Sequence, residues 1–161
     1  MAKILVVYYS RSGNTAKMAD LIASGVKEAG ADVEVKKVED TRVDELLNVQ
    51  GIILGSPTYY GTMAAEIKQF LDESVKHHGK LVGKVGGAFS SSGGLAGGNE
   101  TTVMNMLKAM LIHGMIIPGN VDGDHYGPVA VGKPDRRSAG QCKIMSKIIT
   151  SLTLQLFPDS A

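Results

Sequence analysis

The sequence predicts an α/β fold in which helices cover both faces of a parallel five-stranded sheet. Short apolar runs alternate with longer segments of helical periodicity along the whole chain. Most of the apolar runs are continuous, as expected for strands that are buried on both faces. The chain has 161 residues, of which 43% are hydrophobic. We therefore expect a single domain over residues 1–161, with a core that needs no disulfide or structural metal.

Each element of this fold has its own signal. The strands are predicted at residues 4–9, 33–36, 51–55, 81–90 and 115–117. Helical spacing of apolar residues is found in segments 14–29, 63–76, 100–113 and 135–153. In the second helix the predicted apolar face consists of Ile67, Phe70, Leu71 and Val75. The connection over residues 38–50 is short and weakly helical, and a glycine-rich loop is expected over residues 119–132.

Composition and charge exclude several classes of function. Seventeen basic and sixteen acidic residues give a formal net charge of +1. Electrostatic attraction therefore cannot be the main basis for binding nucleic acid or an anionic membrane. The single cysteine, Cys142, excludes an internal disulfide, fits a cytoplasmic protein and is expected to be buried packing. We expect no metal, because no cysteine or acidic motif accompanies His77 and His78.

The first candidate ligand loop follows the first strand, and ligands of open α/β sheets bind at the carboxyl ends of the strands. This loop consists of Ser10, Arg11, Ser12, Gly13, Asn14 and Thr15. It brings hydroxyls, an amide and a flexible glycine to the start of a helix, where free N–H groups and the helix dipole attract anions. The loop therefore predicts a phosphate site, although it matches neither the dinucleotide fingerprint nor the Walker A pattern.

Two further loops carry groups suited to a planar ligand. After the third strand come Pro57, Thr58, Tyr59, Tyr60 and Gly61, whose tyrosine rings offer flat surfaces for stacking. After the fourth come Ser90, Ser91, Ser92, Gly93, Gly94 and Gly97. Their backbone N–H groups suit a negatively charged ring edge. Taken alone, this third loop could also be a flexible linker.

Together the three loops resemble those of a known family. Residues 10–15 resemble the T/S-x-T-G-N-T phosphate signature of flavodoxins. The chain resembles more closely the tryptophan-repressor-binding-protein family of flavodoxin-like NAD(P)H:quinone oxidoreductases. The similarity covers nearly the whole chain and is carried by residues 1–10, 55–58 with Gly61 and Met63, 89–91, 97–102, 113–115 and 126–128.

The resemblance implies a flavodoxin-like sheet of order 2-1-3-4-5 that binds FMN. NADH or NADPH would be the electron donor and a quinone-like small molecule the acceptor. By position, residues 10–15 would hold the FMN phosphate, residues 58–60 would line the ring and residues 91–97 would bond to its pyrimidine edge. Tyr126 matches the Tyr-Gly of the family's fifth loop. His113 is the one catalytic candidate, because the family has a histidine near the flavin that a neighbouring subunit can supply; a helix-end role stays open.

The chain departs from the family in ways that leave other readings open. It lacks most of the insertion between the second and third strands, and residues 117–126 are also shortened. Those regions help to build the family's tetramer, so a homo-oligomer (dimer or tetramer) is expected without a fixed size. Tyr59 and Tyr60 replace a common Arg-Phe pair, as in many flavodoxins. The alternative function is a flavodoxin-type electron shuttle, which the net charge of +1 disfavours because such shuttles are typically acidic. For His125, both a quinone-orienting role and simple exposure remain open.

Overall fold

Five parallel strands form the central sheet in the computed structural model, which describes residues 1–158. The strands are β1 (Lys3–Tyr8), β2 (Asp32–Lys37), β3 (Gly51–Pro57), β4 (Val85–Ser92) and β5 (Val129–Val131). Their order is β2-β1-β3-β4-β5, which confirms the order that the resemblance implied. The helices are α1 (Asn14–Glu28), α2 (Ala65–Glu73), α3 (Asn99–Ile112) and α4 (Arg136–Leu156). Three short 3₁₀ segments cover Val38–Asp40, Val43–Asn48 and Ser74–His77.

Alternation along the strands divides the core into two layers. In β1, Leu5 and Val7 point to the face that α2 and α3 cover, whereas Ile4 and Val6 point to the face of α1 and α4. Both sets are buried, which explains the continuous apolar run in the sequence. Helices therefore lie on both faces of the sheet, as predicted.

Glycine in the central strands makes room for large side chains. A Cβ on Gly55 would lie 2.1 Å from the ring of Phe89, the residue paired with it on β4. A Cβ on Gly87 would lie 2.3 Å from Ile149 of α4. These two glycines let an aromatic ring and a helix approach the sheet closely, so their lack of a side chain is a packing requirement.

The prediction of the fifth strand is wrong in its position. Residues 115–117 contribute only an isolated bridge, in which Ile116 pairs with Val85 at the start of β4. The chain then leaves the sheet and returns as Val129–Val131, beside the end of β4. This strand has only three residues and lies within the segment predicted as a glycine-rich loop, so its own sequence gives too short an apolar run to predict a strand.

Smaller differences concern the ends of elements. Helix α2 ends at Glu73 and continues as 3₁₀ turns, which rotate Val75 out to 69% exposure instead of onto the apolar face. Strand β4 begins at Val85 rather than at residue 81, and it includes Ser91 and Ser92. The weakly helical connection consists of two 3₁₀ segments. None of the helices within residues 1–158 combines the length and the apolar character of a membrane span.

The close contact between Gly55 and Phe89 leads to a stability prediction. We expect Gly55→Ala to lower the free energy of unfolding by about 1–3 kcal/mol, because the added methyl group overpacks a site that the ring already fills. Gly140→Ala in α4 is the matched control. Its Cβ would meet nothing within 4 Å, so we expect a gain of about 1 kcal/mol from helix propensity. Urea unfolding followed by circular dichroism measures both, and a Gly55→Ala variant as stable as wild type would contradict this packing.

Candidate functional site

A cavity of about 440 Å³ opens at the carboxyl edge of the sheet, where β1, β3 and β4 end side by side. The three predicted loops meet there because neighbouring parallel strands finish at the same edge. The cavity is lined by Arg11, Ser12, Asn14, Thr15, Pro57, Thr58, Tyr59, Ser91, Ser92, Gly93 and Gly132. Ten of these eleven residues belong to the predicted set; Gly132 does not.

The first loop is built as an anion site at the start of α1. Gly13 precedes the helix with a φ of +95°, a conformation that favours glycine. The Ser10 hydroxyl accepts hydrogen bonds from the N–H of Gly13 at 3.1 Å and of Ala16 at 3.3 Å. The N–H groups of Asn14 and Thr15 have no acceptor among the described residues, so they stay available to an anion. Ser10 itself faces the helix rather than lining the cavity.

Buried hydroxyls join the first loop to the fourth strand. The Oγ1 of Thr15 lies 2.9 Å from the Oγ of Ser91, and both side chains are buried. The backbone N–H of Thr58 donates to the carbonyl of Ser91 at 2.7 Å. Ser91 therefore connects the phosphate-type loop with the tyrosine loop, so the cavity is held open by bonds of the protein itself.

Ser90 occupies a different position from its neighbour. Its side chain is fully buried and does not line the cavity. Its hydroxyl lies 2.9 Å from Thr58 Oγ1 and donates to the carbonyl of Ser56 at 2.8 Å. The expectation that Ser90 contacts a cofactor directly is thus not met, since it acts beneath the cavity wall.

The two tyrosines of the second loop separate. Tyr59 is half-buried, lines the cavity and packs edge-on against Tyr9 with ring centroids 6.4 Å apart. Tyr60 is fully exposed at the tip of the turn with a φ of +48°, and it does not line the cavity. Next to it, the carbonyl of Gly61 accepts a bond from Thr101 at 2.6 Å. Burial and the nearby carboxylate of Glu66 raise the pKa of Tyr9, which keeps that phenol neutral.

The third loop is an ordered turn. Ser92 donates from its hydroxyl to the carbonyl of Gly94 at 3.0 Å, and the Asn99 amide donates to Ser92 at 3.1 Å. Gly93 lines the cavity, whereas Gly94 and Gly97 do not. On the far side of this turn a second, open cavity of about 630 Å³ lies between α3 and β5. The linker interpretation of this segment is therefore not supported.

The structure does not bring Tyr126 to the cavity. Tyr126 precedes β5, so it lies before the strand rather than after its carboxyl end. It is half-exposed and faces a small pocket against α4, together with His125. The His125 ring bonds to the carbonyl of Asn120 at 2.8 Å.

The residue that sequence reasoning missed is Gly132, which follows β5 and donates its N–H to the carbonyl of Ser92 at 2.7 Å. Correct placement of the fifth strand would have identified it.

His113 lies at the opposite edge of the sheet, just after the end of α3. The Ser74 hydroxyl donates to the carbonyl of Leu71, so His113 Nε2 at 2.8 Å must be the donor to that hydroxyl. The other ring nitrogen, Nδ1, is buried without a partner among the described residues. Burial, reinforced by His78 and His77, lowers the pKa of His113 and keeps the ring neutral. Within one chain this histidine cannot reach the cavity, and a role across a subunit contact stays a prediction.

Cys142 is fully buried between α4 and the sheet, as expected. Burial raises the pKa of its thiol to about 12, so the unreactive protonated form prevails. Within residues 1–158 no group of three or more histidine, cysteine, aspartate or glutamate side chains could hold a metal ion.

The sequence of the chain matches the model of one protein family, described as a flavodoxin domain, over residues 5–128. The chain belongs to this flavodoxin-domain family. One relative, named NAD(P)H dehydrogenase (quinone), from Archaeoglobus fulgidus, is 33% identical over 190 aligned positions, covering 97% of this chain and all of the relative. Another, named flavodoxin, from Aquifex aeolicus, is 39% identical over 142 positions, covering 83% of this chain and 77% of the relative.

A solved structure confirms the fold of this flavodoxin-domain chain. A flavodoxin, WrbA-like protein from Agrobacterium tumefaciens superposes with a TM-score of 0.82 over 96% of this chain and 99% of its own. Its sequence identity is 24%, so this likeness concerns the fold alone. This structure confirms the predicted fold, and the family model together with the two relatives confirms the predicted family.

The buried, neutral His113 predicts a pH dependence of stability. The pKa of a histidine is near 6.5 in the unfolded chain and lower in the folded one. The unfolded state therefore binds more protons as the pH falls through 6.5, and the folded state loses stability there. We expect His113→Gln, which keeps a donor for Ser74 and does not titrate, to weaken the loss of unfolding free energy between pH 7 and pH 5.

The control for this measurement is His125→Gln, which changes an exposed histidine. It is measured in the same urea titrations as a reference for the loss of one histidine. Equal slopes for wild type and His113→Gln would contradict the assignment of a buried neutral ring.

Proposed function

We propose that the chain is an FMN-dependent oxidoreductase that passes electrons from NADH or NADPH to a quinone or a similar small acceptor. One observation carries this proposal: an anion-binding helix start, a tyrosine wall and a glycine turn line the same cavity. The relative from Archaeoglobus fulgidus, alike over its whole length and named NAD(P)H dehydrogenase (quinone), supports the enzymatic part.

The residues present fit FMN. Its phosphate would meet Ser12, the free N–H groups of Asn14 and Thr15, and the positive end of the α1 dipole. Its flat ring would lie along Tyr59, with Ser91 and Gly93 at a polar edge. Hydroxyl bonds within the protein join Thr15 to Ser91 and Thr58 to Ser90, so they fix the loops that would surround the cofactor.

FMN supplies the redox chemistry in this proposal, and the protein supplies binding and orientation. NAD(P)H, a proton and the quinone become NAD(P)⁺ and the quinol, so two electrons and two hydrogens are transferred in total. The described side chains need not act as acid or base, because quinone and flavin exchange protons with water. We therefore assign no catalytic residue in the chain.

A second candidate function is electron transfer to another protein, as in a shuttle without NAD(P)H activity. The relative from Aquifex aeolicus, which is named flavodoxin, favours this alternative. The charge of the chain argues against it, because shuttles of this type dock through a strongly acidic surface. Here the net charge is +1, and the exposed Arg11 lines the cavity itself. A small neutral acceptor needs no such acidic surface.

Three further expectations stay predictions. The first is that the acceptor is a small molecule, because the cavity has the size of a small-molecule site and Tyr59 offers its ring to a planar acceptor. Assembly into a dimer or tetramer rests on the resemblance, and a cytoplasmic location rests on the single cysteine.

An absorption experiment tests the function. The purified protein is loaded with FMN, freed of excess and mixed with NADH or NADPH without oxygen, and benzoquinone is then added. We expect bound FMN to lose its visible absorbance promptly and quinone to restore it. Bound FMN that neither nucleotide reduces would support the shuttle instead. A protein that retains no FMN would overturn both functions.

Loss of one hydroxyl in the first loop should weaken FMN binding. We expect Thr15→Val to raise the FMN dissociation constant about tenfold, because a hydrogen bond that helps hold a charged ligand is worth about 1.5–3 kcal/mol. Thr150→Val is the matched control, because the buried Thr150 hydroxyl has no partner among the described residues. Flavin fluorescence titrations give both constants. Equal affinities for the two variants would contradict the placement of the phosphate at this loop.

A further inference from the structure

The Ser90 hydroxyl has a fixed direction. Ser90 belongs to β4 and is fully buried. Its Oγ lies 2.8 Å from the carbonyl oxygen of Ser56 on β3 and 2.9 Å from Thr58 Oγ1. A carbonyl can only accept, so the single hydroxyl proton of Ser90 is directed to Ser56. The carbonyl of Ser91 is also within reach of this hydroxyl, but at the longer distance of 3.3 Å.

This direction determines what Thr58 can offer to a ligand. Because the Ser90 proton is already used, the Thr58 hydroxyl must donate its own proton to Ser90 Oγ. The backbone N–H of Thr58 is also used, since it donates to the carbonyl of Ser91. Thr58 lines the cavity, so the only group that its hydroxyl can present there is an oxygen lone pair. At this point the cavity wall accepts hydrogen bonds and does not donate them.

We propose that Ser90 is a positioning residue that holds the Thr58 hydroxyl as a hydrogen-bond acceptor toward the flavin ring, and thereby favours binding of reduced over oxidised FMN. This rests on the proposed function. Two electrons and two protons convert oxidised FMN to its reduced form, and one of those protons makes a ring nitrogen, N5, into an N–H donor. An acceptor therefore meets a matching donor only after reduction, whereas it faces a lone pair before reduction.

The test compares the affinities of the two redox forms. Dissociation constants for oxidised FMN, and for FMN reduced with dithionite under anaerobic conditions, are measured for wild type, Ser90→Ala, Thr58→Val and Thr58→Ser. Without Ser90 the Thr58 hydroxyl can turn and donate, so we expect the ratio of the oxidised to the reduced constant to fall about tenfold. For a two-electron couple, a tenfold change lowers the midpoint potential of the bound flavin by about 30 mV.

The other variants distinguish positioning from a structural role. Thr58→Val should lower the ratio as Ser90→Ala does, which also covers the case in which Ser90→Ala does not fold. Thr58→Ser keeps the hydroxyl and should keep the wild-type ratio. Thr150→Val, away from the cavity, should leave both constants unchanged.

Three outcomes would overturn the inference. Equal weakening of both redox forms in Ser90→Ala and Thr58→Val would make Ser90 a structural residue only. Unchanged constants in both variants would show that the Thr58 hydroxyl does not face the ring nitrogen. No binding of FMN to the wild type would overturn the proposed function with it. Because dithionite supplies the electrons, failure of NAD(P)H to reduce the flavin leaves this measurement intact.

Discussion

The pairing of β3 with β4 is the interaction on which the candidate site depends. The Phe89 ring fills the space above Gly55, and these two residues are partners in the parallel register. A slip by one residue would turn every side chain of the strand to the opposite face and drive the ring into its neighbours. The same register sets Ser90 beside Ser56, so the apolar contact deep in the sheet fixes the hydroxyl bonds at its edge.

Polar groups in the core are acceptable here because they are satisfied in pairs. Ser90 and Ser91 are buried at the end of a strand, yet their hydroxyls have partners on β3 and on the two neighbouring loops. The described side-chain atoms that are buried without partners belong to His77, His113 and Thr150, none of which lines the cavity. The free-energy cost of burying unpaired polar atoms therefore falls on residues outside the cavity.

Periodicity predicted the fold class, because continuous apolar runs and amphipathic helices are properties of local sequence. The loops that follow the predicted strands then identified ten of the eleven residues that line the cavity. The failures have tertiary causes. Strand β5 consists of three residues and is defined by its pairing with Ser90–Ser92, which sequence spacing does not contain. The position of this strand decided whether Tyr126 or Gly132 would reach the cavity. The inward direction of Ser90 likewise depends on a carbonyl from another strand.

Arg137 of α4 holds the short fifth strand in place. Only three residues pair β5 with β4, and Arg137 of α4 adds side-chain bonds to this short strand. The Arg137 guanidinium donates to the carbonyl of Val129 and to the carboxylate of Asp124, at 2.7 Å for the latter. The same carboxylate accepts the N–H of Val129 at 2.9 Å. An arginine near the proposed FMN site invites assignment to a phosphate, but the Arg137 guanidinium already bonds to Val129 of β5 and to Asp124. Replacing Arg137 would therefore affect the cavity indirectly, because Gly132, which lines the cavity, directly follows β5.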